Sequence, residues 1–176
     1  MKPSYLCDNH KQWLEQNPEQ APWVCENACE TGWRHYRNRD WEAALPHLGC
    51  AHDSAAVVLN QPVQGALKAV EWFFYALTGL SHNLQKMKRL DECRLVFDQG
   101  ILRLKQAAHA HREIQTEIQL QIACLEFEKE RLSADPQGAP KQSPVLKRKQ
   151  ADNSASRRQP ARALAITAFS RPHFRP

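Results

Sequence analysis

The sequence predicts an all-α protein with a disordered basic C-terminal tail, and three observations predict it. Apolar residues in the first 132 positions recur at steps of three and four, the spacing that lines one face of a helix. Alternation with period two, the mark of a half-buried strand, is scarce in the same stretch. Beyond residue 132 the apolar residues thin out and the sign of the charge reverses.

The 176-residue chain has a net charge of +5, unevenly placed. Residues 1–132 hold 15 Lys and Arg against 17 Asp and Glu, a net of −2; residues 133–176 hold 9 against 2, a net of +7. The basic character therefore belongs to the tail and not to the body. Three regions follow: an N-terminal segment (1–20), a helical domain (21–132) long enough to bury a core, and the tail (133–176).

The elements can be justified in order. Tyr5, Leu6, Trp13 and Leu14 fit a short helix within Pro3 to Gln16, which "NPEQAP" (17–22) breaks. From Trp23 to Asn38 the stripe is Cys25, Ala28, Cys29, Gly32, Trp33 and Tyr36. "RNRD" (37–40) reads as a turn, with Asp40 placed to accept from the free N–H groups of the next helix. That helix shows Trp41, Ala44, Leu45, Leu48, Ala51 and Ala55; Pro46 sits in its opening turns, where a missing N–H costs least. "NQP" (60–62) ends it. Val63 to Leu84, with Ala66, Val70, Phe73, Phe74, Leu77 and Leu80, is apolar enough to be the most buried helix. After "QKMKR" (85–89), Leu90, Cys93, Val96, Phe97, Ile101 and Leu104 mark another, and Ile114, Ile118, Ile122 and Leu125 mark a last one from about Arg112 to Leu132.

The tail opens with "SADPQGAPKQSPVLKRKQADNSASRRQP" (133–160), which has too little to bury to offset its ordering entropy, so disorder is expected. Ala163, Leu164, Ile166 and Phe169 could add a turn or two of helix on contact with a partner, too short to stand alone.

No run of 18 apolar residues exists to cross a membrane, and the first residues lack the apolar core of a secretory signal. Six cysteines, at 7, 25, 29, 50, 93 and 124, fall largely on apolar stripes as small hydrophobes, so reduced thiols and a cytoplasmic location are expected. Cys25 with Cys29, and His47, Cys50 and His52, are the candidate metal ligands by residue type. They include no C-x-x-C or H-E-x-x-H, and five residues of helix turn His47 about 500° from His52, off any shared face. No metal site is assigned. No Gly-rich phosphate loop, nucleophile elbow or carboxylate cluster occurs, so no catalytic residue, cofactor or turnover is expected.

The stretch "GWRHYRNRDWEAALPHLGCA" (32–51) carries a more specific pattern. Gly32 is a small residue where one helix nears its partner; Trp41 is a bulky ring opening the second helix; Ala44, Leu48 and Ala51 alternate small and large along it. This resembles a tetratricopeptide repeat. A weaker second copy has Gly79 in the place of Gly32, and Leu90, Cys93, Phe97 and Gly100 in the places of Trp41, Ala44, Leu48 and Ala51. The glycines are 47 apart, against 34 for the repeat class, and the second turn reads two residues longer. The resemblance, over about residues 21–105, implies a short antiparallel helical-hairpin solenoid of about five helices, the fifth a lid. It implies a concave face lined by the first helix of each pair. There it places Glu26, Cys29, Trp33, Tyr36 and Arg37 from one copy and Phe73, Ala76, Leu80, Asn83 and Leu84 from the other. Trp33, Tyr36, Arg37, Phe73, Leu80 and Asn83 are the partner-binding residues it implies. Only Arg37 and Asn83 are of the types that grip a chaperone's C-terminal carboxylate, so the groove suits a hydrophobic helix or extended segment instead.

The function implied is that of a non-enzymatic protein–protein adaptor or chaperone-like module, of which a secretion-type chaperone is a special case. The alternative is a regulatory protein whose "KRK" (147–149) and "RR" (157–158) contact nucleic acid or an acidic partner by counterion release, with only Phe169 and Phe174 there to stack on bases. Nothing in the sequence sets the oligomeric state. A chain ending at Leu132 should give a strongly helical circular dichroism spectrum and a cooperative melt; a β-rich or unfolded spectrum would reject the all-α reading.

Overall fold

The breaks read at "NPEQAP", "RNRD", "NQP" and "QKMKR" each end a helix in the computed structural model, which describes residues 4–134. The order is α1 (Asp8–Gln16), α2 (Ala21–Arg37), α3 (Trp41–Asn60), α4 (Ala66–Lys86), α5 (Leu90–Ala110) and α6 (Gln115–Ala134), with short 3-10 turns at Pro18–Gln20 and Arg112–Ile114. No strand occurs among the described residues, and none of their helices is long and apolar enough to cross a membrane. The disordered tail expected at 133–176 lies outside the described residues, apart from Ser133 and Ala134 at the end of α6.

From α2 onward consecutive helices run antiparallel. Gly32 faces Leu48 across the first turn, His52 packs on Phe73 across the second, Leu77 meets Gly100 across the third, and Lys129 reaches Asp98 across the fourth. In each pair the two residues lie nearly equally far from the turn between them. The helices also pack in chain order, α2 on α3, α3 on α4, α4 on α5 and α5 on α6, and α2 touches α4. The core at these contacts includes Leu48, Phe73, Leu77, Leu80, Phe97, Leu104, Ile118 and Leu125, all but excluded from solvent.

The turns after α2 and α4 are copies of one another. At the first, Asn38 N–H donates to Arg34 O (3.2 Å), Arg39 N–H to Tyr36 O (3.0 Å) and Asp40 N–H to His35 O (3.1 Å). At the second, Met87 N–H donates to Asn83 O (3.0 Å), Lys88 N–H to Gln85 O (3.1 Å) and Arg89 N–H to Leu84 O (3.0 Å). Both are Schellman endings, and Arg39 and Lys88 both take φ 62°, the left-handed conformation such an ending demands. Asp40 caps α3 as its position suggests, accepting from Ala43 N–H at 3.3 Å.

This match fixes the offset between the two hairpins at 49 residues. The longer second turn expected from the glycines does not exist, and the residue equivalent to Gly32 is Ser81, not Gly79. The contacts agree. A Cβ on Gly32 would lie 2.7 Å from Cγ and Cδ2 of Leu48, across its own hairpin. A Cβ on Gly79 would instead lie 3.2 Å from the Trp33 ring and 3.3 Å from Leu48 Cδ2, both in the preceding hairpin. Leu48 thus sits between two notches, one on α2 and one on α4. In the second hairpin the sizes redistribute: Gly100 makes room for Leu77, and the positions 49 residues earlier hold Ala51 and Ala28.

The N-terminal residues Ser4, Tyr5 and Leu6 pack as a strap on α3. Asp53 accepts from Tyr5 N–H at 2.7 Å and Leu6 N–H at 3.0 Å, and its other oxygen meets His52 Nδ1 at 3.2 Å. The Tyr5 ring covers Gly49 where a Cβ would stand. Burial alone would raise the Asp53 carboxyl, but the His52 ring and the Leu6 and Tyr5 N–H groups outweigh it and hold it below its ordinary value of 3.8.

Leu48→Ala should cost about 2–5 kcal/mol in denaturant unfolding, because both notches are then left facing a void. Gly32→Ala should also destabilise, although alanine is the better helix former by about 1 kcal/mol; a more stable Gly32→Ala protein would contradict the packing. A carboxyl with a depressed pKa stabilises the fold above its unfolded value, and that stabilisation is lost as pH falls through the folded one. Asp53→Asn should therefore lose about 1–3 kcal/mol at neutral pH and show a flatter loss of stability below about pH 4; an unchanged acid limb would contradict the strap.

Candidate functional site

The offset of 49 determines which face of α4 lies beside the exposed face of α2. The counterparts of Glu26, Cys29, Trp33, Tyr36 and Arg37 are Tyr75, Thr78, His82, Gln85 and Lys86, which are half-buried or exposed. The set expected from the glycine alignment is two residues away, a rotation of about 200° on a helix. Phe73, Leu80 and Asn83 accordingly have none of their surface exposed: they are core residues and do not line a groove. Asn83 has a structural task, its Nδ2 donating to Trp41 O at 2.9 Å and so tying α4 to the start of α3. Trp33 and Tyr36 are half-buried and Arg37 is exposed, so these three do lie at the surface.

The surface that results is aromatic in its floor. Trp33 packs edge-on against Tyr36 (ring centroids 5.0 Å apart) and lies 5.9 Å from Tyr75 and 6.5 Å from His82. Tyr36 in turn meets Trp41 at 4.8 Å. The rings therefore brace one another from three helices, which limits their rotamers and keeps the surface preformed. Beside them a cavity of about 360 Å³ opens between the C-terminal ends of α2 and α4, lined by Tyr36, His82, Gln85, Lys86 and Lys88. Arg37 and Arg39 stand exposed at the end of α2 as Lys86 and Lys88 do at the end of α4. Cations at helix C-termini are favoured by the exposed carbonyls there, and here Lys86 and Lys88 give the cavity a positive rim.

Protonation in this region follows burial. Crowding pushes His82 below the ordinary histidine value, with Lys86 and Arg131 adding to the effect and Glu128 opposing it. Tyr36 is raised by its partial burial. At neutral pH both rings are then uncharged, and the positive charge of the rim comes from Lys86 and Lys88.

Elsewhere the cysteines are free and mostly packed. Cys25 is held well above the ordinary thiol value by hydrogen bonding to Cys29 and by burial, and burial raises Cys93 to about 11. Such thiols stay protonated, which suits packing and not nucleophilic attack. Among the described residues no group of three or more His, Cys, Asp or Glu converges as a metal would require. His47 stacks on His35 with centroids 5.6 Å apart, at the side of the α2–α3 pair.

The sequence reading missed Tyr75, His82, Gln85, Lys86 and Lys88. A signal for them was present: Arg37–Asn38–Arg39 and Lys86–Met87–Lys88 repeat a cation-x-cation pattern at the same offset of 49 that separates Trp41 from Leu90. No family model matches the chain, and neither a curated protein nor a solved structure does.

Proposed function

We propose that the protein is a non-enzymatic adaptor or chaperone-like module of the cytoplasm, a short tetratricopeptide-like solenoid that holds a peptide or partner helix against the α2–α4 face. The observation that carries this reading is the braced set of rings, Trp33, Tyr36, Tyr75 and His82, held half-open beside a cavity with a basic rim. Rigid aromatic surface contributes binding area at little entropic cost, and such surface dominates protein recognition. The rings call for an apolar or aromatic side chain on the partner. Arg37, Arg39, Lys86 and Lys88 call for a carboxylate near it. The proposal thus keeps Trp33, Tyr36 and Arg37 as contact residues and replaces the three core residues with Tyr75, His82, Gln85 and Lys86.

Panning the full chain against a displayed library of random dodecapeptides tests this. Enriched peptides should pair an aromatic or leucine with Asp or Glu. Tyr36→Ala or His82→Ala should weaken a selected peptide by about tenfold or more with the helical spectrum unchanged, whereas Leu102→Ala, on the exposed side of α5, should leave its affinity as it was. No enrichment, or binding indifferent to Tyr36 and His82, would overturn the assignment.

A further inference from the structure

Helix α6 is apolar on two sides. One side, Ile118, Ile122 and Leu125, is buried. The other carries Leu120, 65% exposed, and Phe127, 57% exposed. Seven residues apart, they point within about 20° of one another. Ala123 and Cys124, also exposed, lie between them. Leu120 and Phe127 thus form an apolar stripe in water, flanked by Thr116, Glu117, Glu130 and Arg131, all exposed.

We propose that two copies of the chain pair through α6, antiparallel, about a two-fold axis beside Ala123 and Cys124. The stripe is complementary to itself in that orientation. Leu120 of each copy meets Phe127 of the other, and Ala123, small at the crossing point, lets the helix axes approach. The charges agree. On the flank shared with Cys124, Glu117 of each copy faces Arg131 of the other; on the opposite flank Thr116 faces Glu130. Arg131 holds Glu128 at 2.8 Å through one nitrogen, and its guanidinium has donors left for a second carboxylate. Such an interface uses the same patch on both copies and closes on itself, leaving no surface for further growth. A single helix pair is at the small end of stable interfaces, which places the dissociation constant in roughly the micromolar range. The inference uses none of the residues assigned to the α2–α4 groove and stands or falls apart from it.

Sedimentation of the full chain over a concentration series should show monomer passing to dimer. Leu120→Glu combined with Phe127→Glu should leave only monomer at every concentration with an unchanged helical spectrum. Glu117→Arg should weaken the dimer by about tenfold, and adding Arg131→Glu should restore it. In a Cys7→Ser background a short bis-maleimide, adding to one thiol on each copy, should link the chains on a denaturing gel, and Cys124→Ser should abolish the link. A dimer that survives the double glutamate variant, or a charge swap without rescue, would overturn the proposal. So would a full chain that stays monomeric. In that case protection of Cys124 from maleimide would assign the stripe to residues 135–176 of the same chain, and a reactive Cys124 would leave the stripe uncovered.

Discussion

Leu48 is the side chain on which the arrangement of the two hairpins turns. It is fully buried, with Gly32 on α2 against one side and Gly79 on α4 against the other. Neither glycine is needed for an unusual backbone angle; each is needed because a methyl group would occupy the space the leucine and its neighbours fill. The first notch sets how closely α2 lies on α3. The second sets how closely α4 lies on both, and because the Trp33 ring shares it, it also sets where the aromatic floor stands. Core packing and the proposed binding surface are therefore consequences of one contact, with no separate element to hold the rings.

Much of this was legible in the chain. Period and punctuation give the helices; Asp40 gives a cap; the apolar run around Phe73 and Leu77 gives a deeply buried helix. What local pattern could not give was register between hairpins. Gly79 looks like Gly32 because both are small residues in apolar helices, yet one serves a contact within a hairpin and the other a contact between hairpins. The turns carried the correct offset only in their paired cations, since their left-handed positions are filled by Arg39 and Lys88 where glycine or asparagine is usual. A shift of two residues then turned α4 by more than half a revolution, and Phe73, Leu80 and Asn83 moved from the expected groove to the core. The N-terminal strap was illegible for another reason: Asp53 and Gly49 meet Tyr5 from more than forty residues away, with no local signature.

The basic rim has a local origin with a wider consequence. Two helices end side by side, and each places cations in its last turn and the residues beyond, where unpaired carbonyls favour them. Lys86 and Lys88 at the cavity, with Arg37 and Arg39 exposed at the end of α2, give the face a sign. The tail has the same sign, with a net of +7 across residues 133–176. In the function proposed above, the sign of the face suits a partner that carries carboxylates.

The most direct check is a nuclear Overhauser spectrum of the folded chain with the Leu48 methyls and the Trp33 indole assigned. The Leu48 methyls should show contacts to the α-protons of both Gly32 and Gly79, and the indole should show contacts to the rings of Tyr75 and His82. Contacts from Leu48 to Gly32 alone, or an indole lying against Phe73 and Leu80, would mean that the hairpins nest in a different register and that the face described here is not formed.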